Sequence, residues 1–310
     1  MAVCMKGKSV ASLYDLTREE VEQILKTSEL LKLQLLRGEE HPLLKGKTLA
    51  MIFEKPSTRT RVSFEVGMWQ LGGYALYLSA GDLQLGRGET IGDTARNLSR
   101  YVNGIMARVF SHQTILDLIK HAAVPVVNGL SDFSHPCQGL ADLFTIYEKK
   151  GRLSGLKLAH VGDGNNVAHS LLYGCSKVGM DIVLACPKGY EPNPKVVDEA
   201  KEEAKKSGCE VKVTNDPKEA VKDADVVYTD VWTSMGQEKE HEERVKKFRP
   251  YQVNPELVKA AKKDYIFMHC LPAHRGEEVT DEVADSKNSV IFDQAENRMH
   301  TQKALLALIM

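Results

Sequence analysis

The chain has 310 residues, with 41 basic against 42 acidic side chains, too long for one small core and comfortable for two domains. A charge balance this even excludes a surface built to hold nucleic acid or a membrane. No stretch approaches a membrane span, residues 1–10 lack the apolar segment of a signal peptide, and the six cysteines (Cys4, Cys137, Cys175, Cys186, Cys209, Cys270) contain no Cys-x-x-Cys pair; a cytoplasmic chain with reduced thiols is expected, without disulfide framework or structural zinc.

Thr17 to Arg37 has apolar residues at Val21, Ile24, Leu25, Leu31 and Leu35, and Thr17 with Glu20 makes a capping box. An amphipathic helix packed on a sheet is predicted. Gly46-Lys47-Thr48 imitates the end of a P-loop, but His41 stands where its first glycine belongs and a strand follows the lysine in place of a helix, which excludes that motif. The strand, Thr48 to Phe53, stops before Pro56, and a helical pattern follows with Val62, Phe64, Val66, Trp69 and Leu71.

Ser57, Thr58 and Thr60 therefore fall at a strand-to-helix turn. The first N–H groups of a helix lack partners inside it and the macrodipole turns its positive end outward, so such a turn attracts phosphate or carboxylate. Three hydroxyls add donors, and Arg59 and Arg61 add two cations whose planar forks grip phosphate oxygens in pairs. Plain N-capping with solvated arginines is the bland alternative, but arginine has the wrong sign for a helix N-terminus. An anion site is predicted.

Pro56-Ser57-Thr58-Arg59-Thr60-Arg61, followed by Ser63-Phe64-Glu65, resembles the carbamoyl-phosphate signature of the aspartate and ornithine carbamoyltransferase family. The residues themselves imply an anion; that it is carbamoyl phosphate is what the resemblance implies.

Strands at Tyr74 to Leu78, Gly104 to Val109 and Val124 to Val127 alternate with helices at Thr90 to Val102 and Thr114 to Ala122. The pattern predicts an α/β fold with a parallel sheet covered on both faces, its ligands beyond the carboxyl ends of the strands. Arg108 ends one of those strands and is assigned to the same phosphate as Arg59, a rim salt bridge being the alternative. The loop Ser79 to Glu89, with Gly81, Gly86 and Gly88, is polar and expected to be mobile; by resemblance it reaches a neighbouring subunit of a trimer, where Gln84 touches phosphate. Asn128 to Gln138 leads into a helix from Gly139 to Lys149, with Pro136 suited to the first helical position. His135 and Gln138 then sit at a second helix N-terminus, one able to donate to a carbonyl oxygen and the other to recognise an amide. His135-Pro136-Cys137-Gln138 resembles the family's second signature, which adds Pro136 and Cys137 to the carbamoyl-phosphate set.

Lys149-Lys150-Gly151 marks the expected domain boundary. After a strand at Lys157 to Val161, Gly162-Asp163-Gly164-Asn165-Asn166 begins like a dinucleotide fingerprint, but Val167 replaces the third glycine and no acidic residue closes the strand at Leu184 to Cys186, so no dinucleotide is expected. Asn165 and Asn166 instead offer amides to an amino-acid carboxylate. Asp230 follows the strand Asp225 to Tyr228 and precedes Ser234-Met235-Gly236; it is placed to hold an ammonium, or else caps a turn. This stretch resembles the ornithine-binding loop of the family's ornithine branch, and no cation lies between Asp230 and Gln237 to receive a second substrate carboxylate.

His269-Cys270-Leu271-Pro272 follows the strand Tyr265 to Phe267. A thiol beside Asp230 would orient an attacking amine, although buried cysteine is usually inert. The match to the ornithine branch favours the functional role and adds Cys270 and Leu271 to the carbamoyl-phosphate set. His269 with Cys270 suggests zinc, but no further tetrahedral partners are visible. A terminal helix, Ala295 to Met310, packs back on the first domain by resemblance and carries Arg298 to the phosphate.

The resemblance spans the whole chain and implies two domains, each a mainly parallel sheet flanked by helices: residues 1–150 for carbamoyl phosphate, 151–292 for ornithine, and 293–310 as the returning helix. It implies carbamoyl transfer to L-ornithine by direct attack of the side-chain amine, giving citrulline and phosphate without metal or organic cofactor. Ser57, Thr58, Arg59, Thr60, Gln84, Arg108 and Arg298 would hold phosphate, and Thr60, Arg108 and His135 would face the carbonyl oxygen. A homotrimer, alone or in a higher assembly of trimers, is the implied unit. A carbamoyltransferase for putrescine or acetylornithine is the alternative; a dehydrogenase lacks its glycine fingerprint, and a non-catalytic subunit would have lost Arg59, Arg108 or Cys270.

Overall fold

The computed structural model describes residues 2–81, 83, 88–233 and 238–310. The chain forms two compact units, Met1–Ala141 with Glu296–Met310, and Asp142–Ala295. Among the described residues no helix is long and apolar enough to cross a membrane.

The first unit contains α1 (Arg18–Leu36), β1 (Thr48–Phe53), α2 (Thr58–Gln70), β2 (Tyr74–Ser79), α3 (Ile91–Leu98), β3 (Gly104–Arg108), α4 (His112–His121), β4 (Val126–Leu130) and the start of α5 (Pro136–Lys150). Thr17 and Glu20 exchange both capping-box bonds at the head of α1, as the sequence predicts. The strands are parallel in the order β2-β1-β3-β4. β3 is buried throughout and β1 from Leu49 onward, which explains why they read as unbroken apolar runs: both faces are covered. Connections leave β1 in opposite directions, so the turn after β1 and the end of β3 flank a topological switch point, with Phe53 in register with Arg108.

Two expectations change here. The fourth strand begins at Val126, not Val124, and runs through Asn128 to Leu130. The cause is non-local: Val10 bridges to Val127, Asn128 donates its backbone N–H to Val10 and its amide to the Ala11 carbonyl at 2.8 Å. Gly129 fits because a Cβ there would lie 2.5 Å from Met106 Sδ. In α2, the buried side is Thr60, Phe64, Gly67, Met68 and Leu71, while Val62 is 50% and Trp69 76% exposed. Gly67 lies against Lys303, and a Cβ there would meet its Cγ at 3.2 Å; closeness to that side chain, not hydrophobicity, selects the buried face.

The second unit continues from α5 through β5 (Lys157–Val161), α6 (Asn166–Val178), β6 (Asp181–Ala185), α7 (Pro194–Ser207), β7 (Val211–Thr214), α8 (Pro217–Val221), β8 (Val226–Thr229), α9 (His241–Phe248), α10 (Pro255–Val258), β9 (Ile266–His269) and α11 (Asp281–Ala284) into α12 (Ile291–Ile309). Its five parallel strands run β7-β6-β5-β8-β9. The switch point lies between β5 and β8, so ligands are expected beside the turns that follow those two strands. Val161, Val183, Val227, Tyr251, Leu257 and Phe267 belong to the core against one face of this sheet. α12 starts four residues earlier than its sequence pattern suggests and supplies residues to both units.

Candidate active site

At the switch point of the first unit, Ser57 is the N-cap of α2 and accepts from the Thr60 N–H. Its hydroxyl lies 3.2 Å from Thr60 Oγ1. Arg108 from the end of β3 and Arg298 from α12 each donate to that same Thr60 oxygen at 3.4 Å, and Arg298 also donates to Gln138 Oε1 at 2.9 Å. Thr60, Arg108, Gln138 and Arg298 are all buried. Two buried guanidinium groups sharing one hydroxyl repel each other and have given up water, a cost that an anion at the α2 N-terminus would remove.

Burial and then the positive charges of Arg298, Arg108 and Arg59 hold the His135 imidazole well below its usual range, so at neutral pH the ring is uncharged and offers a neutral N–H. Cys137 is buried, its thiol pushed up to about 11 by desolvation; it contacts the Asn128 carbonyl at 3.5 Å and remains a thiol. Pro136 occupies the first position of α5, and Gln138 and Gly139 return their N–H groups to the His135 carbonyl. Thr58 opens α2 with its side chain exposed. Arg61, read from sequence as a second cation of the anion site, instead pairs with Glu65 at 3.0 Å and lies over the Tyr77 ring at 3.9 Å. It is the next residue after Thr60, and on a helix a single step points to a different face. Gln84, Ser234 and Met235 lie outside the described residues.

At the switch point of the second unit, Asp230 follows β8 and is buried. Its carboxylate accepts from Asn165 Nδ2 at 2.8 Å, Cys270 Sγ at 2.9 Å and the Val231 N–H at 2.8 Å. All three donors are neutral, and among the described residues no ion pair to Asp230 is formed. Asn165 is also the N-cap of α6, its oxygen taking the N–H groups of Val167 and Ala168; that double use explains why it faces Asp230 with its nitrogen. Asn166 is the first residue of α6 and partly exposed. A buried carboxylate with only neutral donors is suited to a substrate ammonium.

Asp230, His269 and Cys270 bring possible metal-ligand atoms within 4.8 Å of one another, so the fold supplies a neighbour for His269 and Cys270 that sequence spacing hides. His269 is committed elsewhere. Leu271 N–H donates to Nδ1 at 2.8 Å, which leaves Nε2 to donate to Glu278 Oε1 at 3.1 Å. The ring thus orients Leu271, which has φ 58° and precedes a cis proline, and Cys270 and Asp230 form a thiol–carboxylate pair.

Two residues near this site carry no motif. Arg244 on α9 is buried, donates to the Asp163 carboxylate and to the Trp232 carbonyl at 2.5 Å, and stacks 4.7 Å from the Tyr190 ring centroid. It joins the turn after β5 to the segment after β8. His160 on β5 is fully buried, stacked on Tyr228 at 5.8 Å, with neither ring nitrogen hydrogen-bonded among the described residues. Burial lowers its pKa to about 4.

Family models describe the two halves. Residues 8–148 match the aspartate/ornithine carbamoyltransferase carbamoyl-P binding domain, and residues 154–309 match the Asp/Orn binding domain of the same family. An ornithine carbamoyltransferase of Thermococcus kodakarensis is 66% identical over 310 residues, covering 100% of this chain and 98% of that protein. An anabolic ornithine carbamoyltransferase of Pyrococcus furiosus is 64% identical over 310 residues, with 100% of this chain and 98% of that protein covered. The solved ornithine carbamoyltransferase structure from Pyrococcus furiosus superposes with a TM-score of 0.97 at 63% identity, covering 100% of this chain and 99% of that one. With a switch-point anion site in one unit, a buried carboxylate held by neutral donors in the other and both halves matched by family models, the chain belongs to the aspartate/ornithine carbamoyltransferase family.

Proposed function

We infer that this chain is an ornithine carbamoyltransferase, which moves the carbamoyl group of carbamoyl phosphate to the side-chain amine of L-ornithine and yields L-citrulline and phosphate. The observation that carries the choice of acceptor is Asp230, a buried carboxylate whose three described donors are all neutral. Such a group favours an amino acid with an extra ammonium and repels one with an extra carboxylate. The 66% and 64% identical relatives carry the ornithine name, which disfavours putrescine or acetylornithine as the acceptor.

In the proposed mechanism Ser57, Thr58, Arg59, Thr60, Gln84, Arg108 and Arg298 hold the phosphate, with residues 1–150 as the carbamoyl-phosphate domain. Thr60, Arg108 and His135 face the carbonyl oxygen. Gln138 recognises the carbamoyl amide, and Pro136, Cys137, Cys270 and Leu271 are assigned to the carbamoyl-phosphate set. Asn165, Asn166, Asp230, Ser234 and Met235 bind ornithine. The uncharged amine forms its bond to the carbonyl carbon, negative charge grows on the carbonyl oxygen, and the carbon–oxygen bond to phosphate breaks with its electron pair leaving on phosphate. That phosphate, a base at neutral pH, takes the amine's proton. A neutral His135 suits this role, since it donates a hydrogen bond to the growing oxyanion and has no need to change charge.

We propose that the catalytic unit is a cytoplasmic homotrimer. The exposed Val62 and Trp69 of α2 support a covering partner, and all six cysteines, free thiols, support a reducing compartment.

Purified protein given carbamoyl phosphate and a panel of L-ornithine, putrescine and acetylornithine, scored for ureido product, tests the reading. Citrulline should form fastest by a wide margin; faster product from putrescine would transfer the assignment to that amine.

A further inference from the structure

Beyond the Asp230–Cys270 pair, the second unit gathers two histidines around one carboxylate. His241 Nε2 lies 3.4 Å from Glu277 Oε1, and His274 Nδ1 lies 3.8 Å from Glu277 Oε2. Each carboxylate oxygen therefore faces one imidazole nitrogen. These separations exceed the usual hydrogen-bond range of about 2.7–3.2 Å. The 3.4 Å separation matches the edge of a tetrahedron with zinc–ligand arms of about 2.0–2.1 Å, which is about 3.3–3.4 Å, and the 3.8 Å separation is longer than that edge.

Other features of the cluster suit a metal centre. His241 Nδ1 lies 3.1 Å from the Thr233 hydroxyl; a hydrogen bond there orients the ring and leaves Nε2 as the ligand, as metal-bound histidines are usually held. Glu278 places a second carboxylate nearby, the ligand atoms of His274, Glu277 and Glu278 all lying within 4.8 Å of one another. Glu278 is fully buried, and among the described residues its Oε2 has no hydrogen-bond partner. Its Oε1 accepts from the His274 N–H at 2.5 Å and so fixes the backbone that carries one ligand. Two imidazoles with carboxylate oxygen select a borderline first-row cation over magnesium or calcium.

We propose that His241, His274 and Glu277, with Glu278 as support, form a binding site for a zinc ion. The ion would join the first residue of α9 to the loop after Cys270, two segments of the same unit with no covalent link near this point. The proposal rests on these side chains; Glu278 Oε1 also faces His269 Nε2 at 3.1 Å, so the site borders the one that holds Cys270 and Leu271.

Chelator-treated full-length protein titrated with zinc chloride in a calorimeter tests it. His241→Ala and His274→Ala should each weaken one binding event by at least about tenfold, and Cys270→Ser should retain it. Both histidines are partly or largely exposed, so the variants should fold, which circular dichroism checks. Unchanged affinity in both histidine variants would overturn the site; loss of all zinc binding in Cys270→Ser would do so too, placing the ion on Asp230 and Cys270. Cobalt in place of zinc adds a spectroscopic readout. The expected spectrum lacks a thiolate-to-cobalt charge-transfer band, and a strong band of that kind would overturn the assignment.

Discussion

Arg108 ends an apolar strand with its charge buried and donates to the same hydroxyl as Arg298. Lysine at position 108 keeps the charge but loses the planar fork. Arg108→Lys should lower kcat by about 10²–10³, the typical cost of a lost oxyanion donor, and steady-state kinetics close to the parent would refute its assigned role. Asp230 belongs to the other unit and meets Asn165 and Cys270. Asp230→Asn should reduce kcat/KM for ornithine by roughly thirtyfold or more, about 2 kcal/mol for a lost buried charge pair. Calorimetry should find carbamoyl-phosphate affinity nearly unchanged in that variant; a large fall would reverse the domain roles.

Among elements, the informative ones are the turns that follow β1, β5 and β8 and the helices that start there. Strand ends and N-caps obey local rules, so Ser57, Asn165 and Thr17 are legible from their neighbours in sequence. Arg244 is not, because its partners Asp163 and Trp232 are distant in the chain and meet it only once β5 and β8 lie side by side. Its expected work is positioning. Arg244→Ala should raise KM for ornithine at least about tenfold with a smaller change in kcat, since a misaligned Asn165 and Asp230 weaken binding before chemistry. Arg244→Lys should restore part of that loss, and equal KM values in all three proteins would dismiss the idea. The face that α2 buries was equally hidden: Trp69 is apolar in sequence yet exposed, while Gly67 is buried against Lys303.

For the whole molecule, buried histidines couple folding to pH. His160 titrates at about 4 when folded, because burial disfavours its charged form, against about 6.5 when unfolded. Above about pH 6.5 both states are neutral and no proton is linked to unfolding; below it the unfolded chain takes a proton the folded one refuses. His160 should therefore cost about 3 kcal/mol of stability as pH falls from 6.5 toward 4, roughly 2 kcal/mol of it between pH 7 and pH 5. Asp163 runs the other way, its carboxyl raised to about 6 by burial against the pull of Arg244. Urea denaturation at the two pH values should show a steeper acid loss in the parent than in His160→Gln; identical losses would exclude this linkage. Light scattering should return a mass of three 34.5 kDa chains, whereas a monomer would remove the proposed trimer.

By itself the sequence determined what depends on near neighbours: the alternation of strands and helices, the donors at each helix start, and the signatures that name a family. Backbone hydrogen bonding and capping act over a few residues, so their traces lie close together in the chain. Only the tertiary structure decided which distant side chains meet. Thr60 under two arginines, Asp230 with its neutral donors, Arg61 turned outward and His241 beside Glu277 all follow from strand order and helix packing. Those are set by burial of the whole apolar surface at once, which no short stretch records.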